Sequence, residues 1–262
     1  MAFNRALVPR AAPESDALTS AMVGIGMGFA APAAVEPNIE DTLFFASVEA
    51  MERDDLRVLA VLVTWFGVHA RWVNADRLTR LVAAQGTARV RALWSALATW
   101  QAKDRRFARL GALYVGRRVD LQPVGAAFHI RKHGEDPRFS GSPLRVPANV
   151  LRDRAADVLS PRELALRHRP YRSRLRMGPT YRADVWVALE AAPHLSAAEL
   201  ARRTYASFAT AWQAKQDFEI LDDSRKKKGR GSLRGNRRSG AAGAAAIASA
   251  RPGTARTGRS RT

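Results

Sequence analysis

Residues 181–221 can form only short helices, because turn and capping signals divide them at close intervals. The apolar face of the first helix comprises Val185, Trp186 and Leu189. Pro193 then ends this helix. Ser196 is followed three residues later by Glu199, which is the reciprocal capping pattern that begins a helix. We therefore predict two helices in quick succession, with a short turn between them.

The second helix, residues 197–204, leads into a corner made of only two residues, Tyr205–Ala206. Ser207 can then cap a third helix that runs from Phe208 to about Leu221. Two helices joined by so short a turn make a helix-turn-helix. Its second helix can present N-terminal side chains to base edges in the major groove of DNA.

The residues on either side of the corner follow a known pattern. They are Leu195-Ser196-Ala197-Ala198-Glu199-Leu200-Ala201-Arg202-Arg203-Thr204 and Ser207-Phe208-Ala209-Thr210. This run resembles the t-x-x-E-L-A-r-r-t, S-x-x-T sequence of bacterial winged-helix regulators, over about 40 of 262 residues. The resemblance implies that the side chains facing DNA are Ser207, Phe208, Thr210, Gln213 and Lys215. It implies that the side chains packing the module are Leu189, Leu200, Ala201, Ala211 and Phe218.

The chain departs from this pattern at the corner, at Lys215, which falls where the pattern prefers an apolar residue, and after the third helix. Tyr205–Ala206 occupies a corner that usually carries a glycine, which tolerates positive φ. Leu221 leads almost directly into a Lys- and Arg-rich segment, without the strand hairpin that would form a wing. A plain three-helix packing unit without a ligand therefore remains the alternative interpretation.

Positive charge is concentrated at the C-terminal end. Residues 225–262 contain 12 Lys or Arg and no Asp or Glu, out of a formal net charge of +19. Because this segment has few large apolar groups, we expect residues 224–262 to be a disordered tail. Such a tail gains affinity for phosphates by releasing counterions. The tail residues predicted to contact DNA are Arg225, Lys226, Lys227 and Lys228. A solubilising tail without a dedicated partner is the alternative.

A second basic cluster precedes the predicted module. Residues 167–176 carry five arginines at nearly alternate positions. Alternate side chains of an extended chain point the same way, so Arg172, Arg174 and Arg176 would line one edge and contact phosphates. A solvated linker would explain the same run equally well.

The rest of the chain predicts a mainly α fold. Residues 1–38 are rich in Ala, Gly and Pro and indicate a flexible arm. Residues 39–105 indicate a helical domain with a tryptophan-rich core. Its predicted helices span residues 39–51, 54–69, 74–85 and 87–103, and their proposed N-caps are Asp54, Asn74 and Thr87.

The sequence of the middle of the chain predicts less regular structure. Residues 106–146 indicate a connector of strands and loops, with short strands at 112–116 and 126–130. Residues 147–180 indicate a helical, Arg-rich linker. Its predicted helices are residues 147–157 and a short one capped by Ser160. The helix-turn-helix module then spans residues 181–223.

Signatures of catalysis are missing from the sequence. The chain contains no Cys, G-x-S-x-G elbow or phosphate-binding P-loop. His129 and His133 have a metal-compatible spacing only on a helix, which the strand-like residues before Gly134 argue against. We therefore expect no enzymatic activity, cofactor or metal. No apolar run reaches the roughly 18 residues that span a bilayer, so we expect no membrane partner. The absence of Cys fits a reducing cytoplasm, where we expect the protein to lie.

The leading prediction is a DNA-binding transcriptional regulator with a C-terminal helix-turn-helix and a phosphate-binding tail. Modules of this kind also occur in antitoxins, where another domain neutralises a partner toxin. The main alternative is a protein-interaction module, in which the helical domain binds a partner or a second copy of itself. Non-specific RNA binding through the arginine segments is a further alternative.

Overall fold

Helices dominate the computed structural model, which describes residues 9, 12–122 and 124–222. The mainly α fold class is therefore confirmed. The chain divides into two compact units, residues 1–215 and 216–262. The described part of the second unit is the helical segment 216–222.

Twelve α-helices, four 3₁₀ helices of three residues each and one pair of very short strands make up the regular structure of the described residues. The helices are α1 (Ser15–Gly24), α2 (Ile39–Glu52), α3 (Leu56–His69), α4 (Ala75–Gln85), α5 (Ala88–Trp100), α6 (Ala108–Gly111), α7 (Ala126–His133), α8 (Pro161–Arg167), α9 (Arg169–Met177), α10 (Tyr181–Ala191), α11 (Ala197–Thr204) and α12 (residues 208–222). The strands β1 (Val119–Asp120) and β2 (Leu144–Arg145) pair in parallel.

Helices α2 to α5 form the centre of the core, close to the bounds that the sequence predicts. Asn74 and Thr87 cap α4 and α5 as expected. At α3 the cap is Asp55 rather than Asp54, because Asp54 adopts a φ of 51° outside the helix. Trp94 is fully buried, and its indole donates to the Ser47 hydroxyl over 2.9 Å.

The N-terminal segment is packed, so the expectation of a flexible arm is wrong for the described residues before α2. Leu18 and Met22 of α1 are buried against the core. The indole of Trp65 donates to the carbonyl of Ile25 over 2.7 Å. Met27 forms an antiparallel bridge with Val158, which joins this segment to a distant part of the chain. The alanine and glycine residues of this segment permit close packing. They form no hydrophobic period, so no pattern in the sequence indicates that the segment is packed.

The two strands predicted at 112–116 and 126–130 are not formed. Val115 is 95% exposed, and α7 replaces the second strand. Phe128 on α7 is also exposed, so the apolar run at 126–130 does not face a core as a buried strand would. The parallel pair forms instead where Asp120 and Arg145 make a cross-strand ion pair at 2.6 Å.

The helix predicted at 147–157 is also wrong. Asn149 adopts a φ of 65°, which interrupts any helix that begins at Pro147. Pro147 instead bridges Glu135 in an antiparallel contact. Only Ala155–Asp157 forms a single 3₁₀ turn. The predicted cap at Ser160 is confirmed, since Ser160 and Glu163 make a reciprocal capping box at the start of α8.

No helix within residues 12–122 and 124–222 combines the length and the apolar character needed to cross a bilayer.

Candidate nucleic-acid interface

Helices α10, α11 and α12 follow one another in the order that the sequence predicts. Residues Ala197–Thr204 form α11, as expected. The backbone N–H of Glu199 donates to the Ser196 hydroxyl over 3.2 Å, and the Ser196 N–H donates to the Glu199 carboxylate over 2.9 Å. This reciprocal cap satisfies N–H groups that the first turn of a helix leaves free.

Tyr205 forms the corner between α11 and α12. This residue has a φ of 57°, in the left-handed region that glycine would normally occupy. Its side chain contacts the helical domain: the hydroxyl donates to Asp41 over 3.2 Å, and the Arg77 guanidinium lies 3.3 Å from the ring centroid. These contacts stabilise a backbone conformation that costs free energy for any residue with a Cβ.

The start of α12 is capped by its own side chains. The Ser207 hydroxyl accepts from the Thr210 N–H over 3.1 Å and lies 2.7 Å from the Thr210 hydroxyl. Ala211 and Ala214 are fully buried on the inner side of the helix. The inner side packs within a module whose other buried residues include Leu189, Leu200 and Ala201. The predicted packing roles of these three residues and of Ala211 are therefore confirmed.

The outer side of α12 presents four exposed residues at i, i+1, i+4 and i+5 spacing, which places them on one face. We call them the exposed stripe, and they are Phe208, Ala209, Trp212 and Gln213. The N-terminal end of the second helix is the part of a helix-turn-helix that contacts base edges. The stripe therefore lies where such a contact would be made.

The structure places the five predicted reading residues in different environments. Phe208 and Gln213 lie on the exposed stripe. Ser207 and Thr210 are half-buried in the helix cap. The amine of Lys215 donates to the carbonyls of Pro193 and Leu195, at 3.3 and 3.1 Å, which directs it towards the turn before α11.

Sequence reasoning missed Ala209 and Trp212 as members of the stripe. The signal that would have found them is the pair of small residues Ala211 and Ala214, which mark the buried side of α12. It also missed Arg202 and Arg203 as candidate phosphate contacts, although both stood in the pattern. They are exposed on α11, the helix that precedes the corner.

The predicted arginine edge at 167–176 is wrong in its geometry, because these residues form α8 and α9 rather than an extended chain. On a helix, residues two positions apart point in different directions, so the three arginines do not share one face. Arg176 is exposed and Arg172 is half-buried, whereas Arg174 is buried. Arg174 therefore cannot contact phosphates in this fold, and its prediction as a DNA-binding residue is corrected.

Arg174 instead joins two carboxylates. Its guanidinium donates to both oxygens of Glu40, at 2.6 and 2.9 Å, and to both oxygens of Asp184, each at 2.9 Å. Arg77 pairs with Asp41 next to this group. We call these five residues the buried charge cluster: Glu40, Asp41, Arg77, Arg174 and Asp184.

Burial and the arginines have opposing effects on the carboxylates of this cluster. Burial opposes ionisation of Glu40, but the charge and hydrogen bonds of Arg174 outweigh it and lower the Glu40 pKa. Burial dominates at Asp41 and Asp184 and raises the pKa of each. The two arginines therefore offset the cost of burial fully at Glu40 and only in part at Asp41 and Asp184.

The cluster joins α9 and α10 to α2 and α4. Glu40 and Asp41 belong to α2, Arg174 to α9 and Asp184 to α10. Outside the cluster, the Tyr181 hydroxyl adds a contact to Asp76 of α4 over 3.0 Å. The module up to residue 215 therefore belongs to the same compact unit as the helical domain.

The described histidines lie in different surroundings. His69 is buried, with Nδ1 2.7 Å from the Tyr171 hydroxyl and Nε2 2.9 Å from the Leu159 carbonyl. His129 and His133 lie on α7, which corrects the expectation of a strand and loop there. Within residues 12–122 and 124–222, no three His, Asp or Glu side chains converge to hold a metal ion.

The predicted tail contacts Arg225, Lys226, Lys227 and Lys228 lie outside the described residues. The candidate interface therefore consists of the exposed stripe together with Arg202 and Arg203. No protein-family model matches this chain, and no curated protein or solved structure is significantly similar to it.

Proposed function

We propose that this protein is a DNA-binding transcriptional regulator that inserts the N-terminal part of α12 into the major groove. The observation that supports this proposal is the exposed stripe of Phe208, Ala209, Trp212 and Gln213, held in place by a capped and packed helix pair. Side chains at these positions of a helix-turn-helix reach base edges.

Phosphate contacts would come from the helix before the corner and from the tail. Arg202 and Arg203 are exposed on α11, where a helix-turn-helix crosses the DNA backbone. The sequence of the tail supplies further cations, beginning with Arg225 and Lys226. We expect these groups to add affinity without adding sequence preference, and we expect the protein to act in the cytoplasm, where bacterial DNA lies.

Protein binding is a second candidate function, favoured by one observation. Phe208 and Trp212 are 46% and 51% exposed on the same face of α12, and exposed aromatic residues are enriched at protein interfaces. The surface concerned differs from the one that the sequence suggested. Trp65 and Trp94 of the helical domain are fully buried and belong to its core.

A pull-down of genomic DNA fragments at about 150 mM salt tests the proposal, because salt weakens contacts made only to phosphates. The wild-type protein should enrich a common motif, and Gln213→Ala should weaken that enrichment. Gln85→Ala is the matched control, since Gln85 is an exposed glutamine at the end of α4. Enrichment without any motif, unchanged by Gln213→Ala, would contradict a sequence-reading role and leave a cationic protein that binds nucleic acids generally.

A further inference from the structure

We infer that the base pairs beneath the exposed stripe are A·T rather than G·C, so that this protein selects sites with an A·T core. The inference rests on the proposed function and specifies the DNA that the same surface takes. It follows from which side chains occupy the stripe and from where the nearest cations are held.

The stripe lacks the side chains that read guanine. Its members are Phe208, Ala209, Trp212 and Gln213, none of which is Arg or Lys. The commonest specific contact to guanine is a bidentate bond from Arg or Lys to the O6 and N7 atoms in the major groove. The stripe therefore cannot make that contact.

The nearest cations on the same elements are directed elsewhere. The Lys215 amine is held 3.3 and 3.1 Å from the carbonyls of Pro193 and Leu195, which removes it from the stripe. Arg202 and Arg203 belong to α11, the helix that contacts the backbone in this motif rather than the base edges. Neither source places a guanidinium or an amine over the bases beneath α12.

The side chains that are present match the A·T pair. The C5 methyl group of thymine is an apolar contact in the major groove, and Phe208, Ala209 and Trp212 offer apolar surface to it. Gln213 can bond in a bidentate manner to the N6 and N7 atoms of adenine. Ala209 and Gln213 lie about 6 Å apart along the helix, so the methyl and amide contacts would fall within about two base-pair steps of each other.

Selection of the full-length chain on random duplex DNA, with competitor DNA present, tests this inference. The positions beneath the stripe are those whose base preference changes in Phe208→Ala and Gln213→Ala, with Gln85→Ala as the unchanged control. We expect A·T pairs at those positions. Circular dichroism of each variant shows whether it keeps the wild-type helix content.

Base analogues then test the two contacts separately. Uracil in place of thymine removes the methyl group and should weaken binding about fourfold for each contacted methyl. The same replacement outside the positions read by the stripe should leave affinity unchanged. Adenine with carbon in place of N7 should weaken wild-type binding about tenfold and should have little effect on Gln213→Ala.

The outcomes separate this inference from the function on which it rests. A motif with G·C pairs beneath the stripe, or affinity that ignores both analogues, would overturn the A·T inference while retaining a sequence-reading regulator. Failure to enrich any motif would overturn both.

Discussion

Arg174 and Glu40 form a buried, bidentate ion pair although they lie 134 positions apart in the chain. The guanidinium of Arg174 also holds both oxygens of Asp184 at 2.9 Å. A single side chain on α9, that of Arg174, therefore joins α2 to α10. The position of the candidate interface depends on this link.

Replacing Arg174 by Met should lower the free energy of unfolding by about 3–5 kcal/mol, because the buried carboxylate of Glu40 and the half-buried carboxylate of Asp184 lose their counter-ion. Arg176→Met on the same helix is the control and should change stability by no more than about 0.5 kcal/mol, since Arg176 is exposed. Urea unfolding measures both. Equal midpoints for the two variants would contradict a structural role for Arg174.

Burial lowers the pKa of His69 to about 4 from the 6.5 that it has in an unfolded chain. The carbonyl of Leu159 can only accept, so the neutral ring carries its proton on Nε2 and accepts from Tyr171 at Nδ1. Since the folded protein keeps His69 neutral, the contribution of His69 to stability is fully present above about pH 6.5. This contribution falls as pH decreases towards 4, by about 3 kcal/mol in total.

Unfolding of wild type and His69→Gln between pH 7 and 4 measures this effect. The stability difference between them should shrink as pH falls, whereas His194→Gln, at an exposed histidine, should follow the wild-type profile. The comparison between variants is needed because burial also lowers the pKa of His168. Parallel profiles for wild type and His69→Gln would show that His69 is not held neutral by the fold.

The corner at Tyr205 should prefer glycine to alanine. Both substitutions lose the ring contact with Arg77 and the hydroxyl bond to Asp41, but only alanine keeps a Cβ at a φ of 57°. Tyr205→Gly should therefore be more stable than Tyr205→Ala by about 1 kcal/mol, as measured by thermal unfolding. If alanine proved the more stable of the two, the backbone at this corner would not be left-handed.

The two capping boxes provide a matched pair of variants. Ser196→Ala and Ser160→Ala should each lower stability by about 1 kcal/mol, because each removes the same cap from a short helix. Only Ser196→Ala should also weaken DNA binding, since α11 supports the corner and α12. Equal loss of DNA affinity in both variants would mean that the effect comes from general destabilisation.

Local signals predicted much of this fold. The capping boxes at Ser160 and Ser196 and the side-chain caps at Asn74 and Thr87 operate within four residues, so the sequence contains all of their partners. The bounds of α11 follow directly from such signals. The buried alanines of α12 fit its helical period, which places Trp212 on the opposite, exposed side.

Contacts between distant parts of the chain could not be read in the same way. Tyr205 donates a hydrogen bond to Asp41, which lies 164 positions away in the chain, and no local pattern predicts that bond. Arginines at near-alternate positions suit both an extended edge and a helix, and only tertiary packing decides that Arg174 turns inwards. Residues 126–130 are apolar enough for a strand, yet they form a helix that leaves Phe128 exposed.

The most direct test of a sequence-reading interface is the ratio of two dissociation constants, for a selected DNA site and for a scrambled duplex of the same composition. Fluorescence anisotropy at about 150 mM salt measures this ratio for wild type and for the Phe208→Ala/Gln213→Ala double variant. We expect a preference of about tenfold or more in wild type that falls close to one in the double variant, while affinity for the scrambled duplex changes little. A preference that survives in the double variant would contradict the assignment of sequence reading to the exposed stripe.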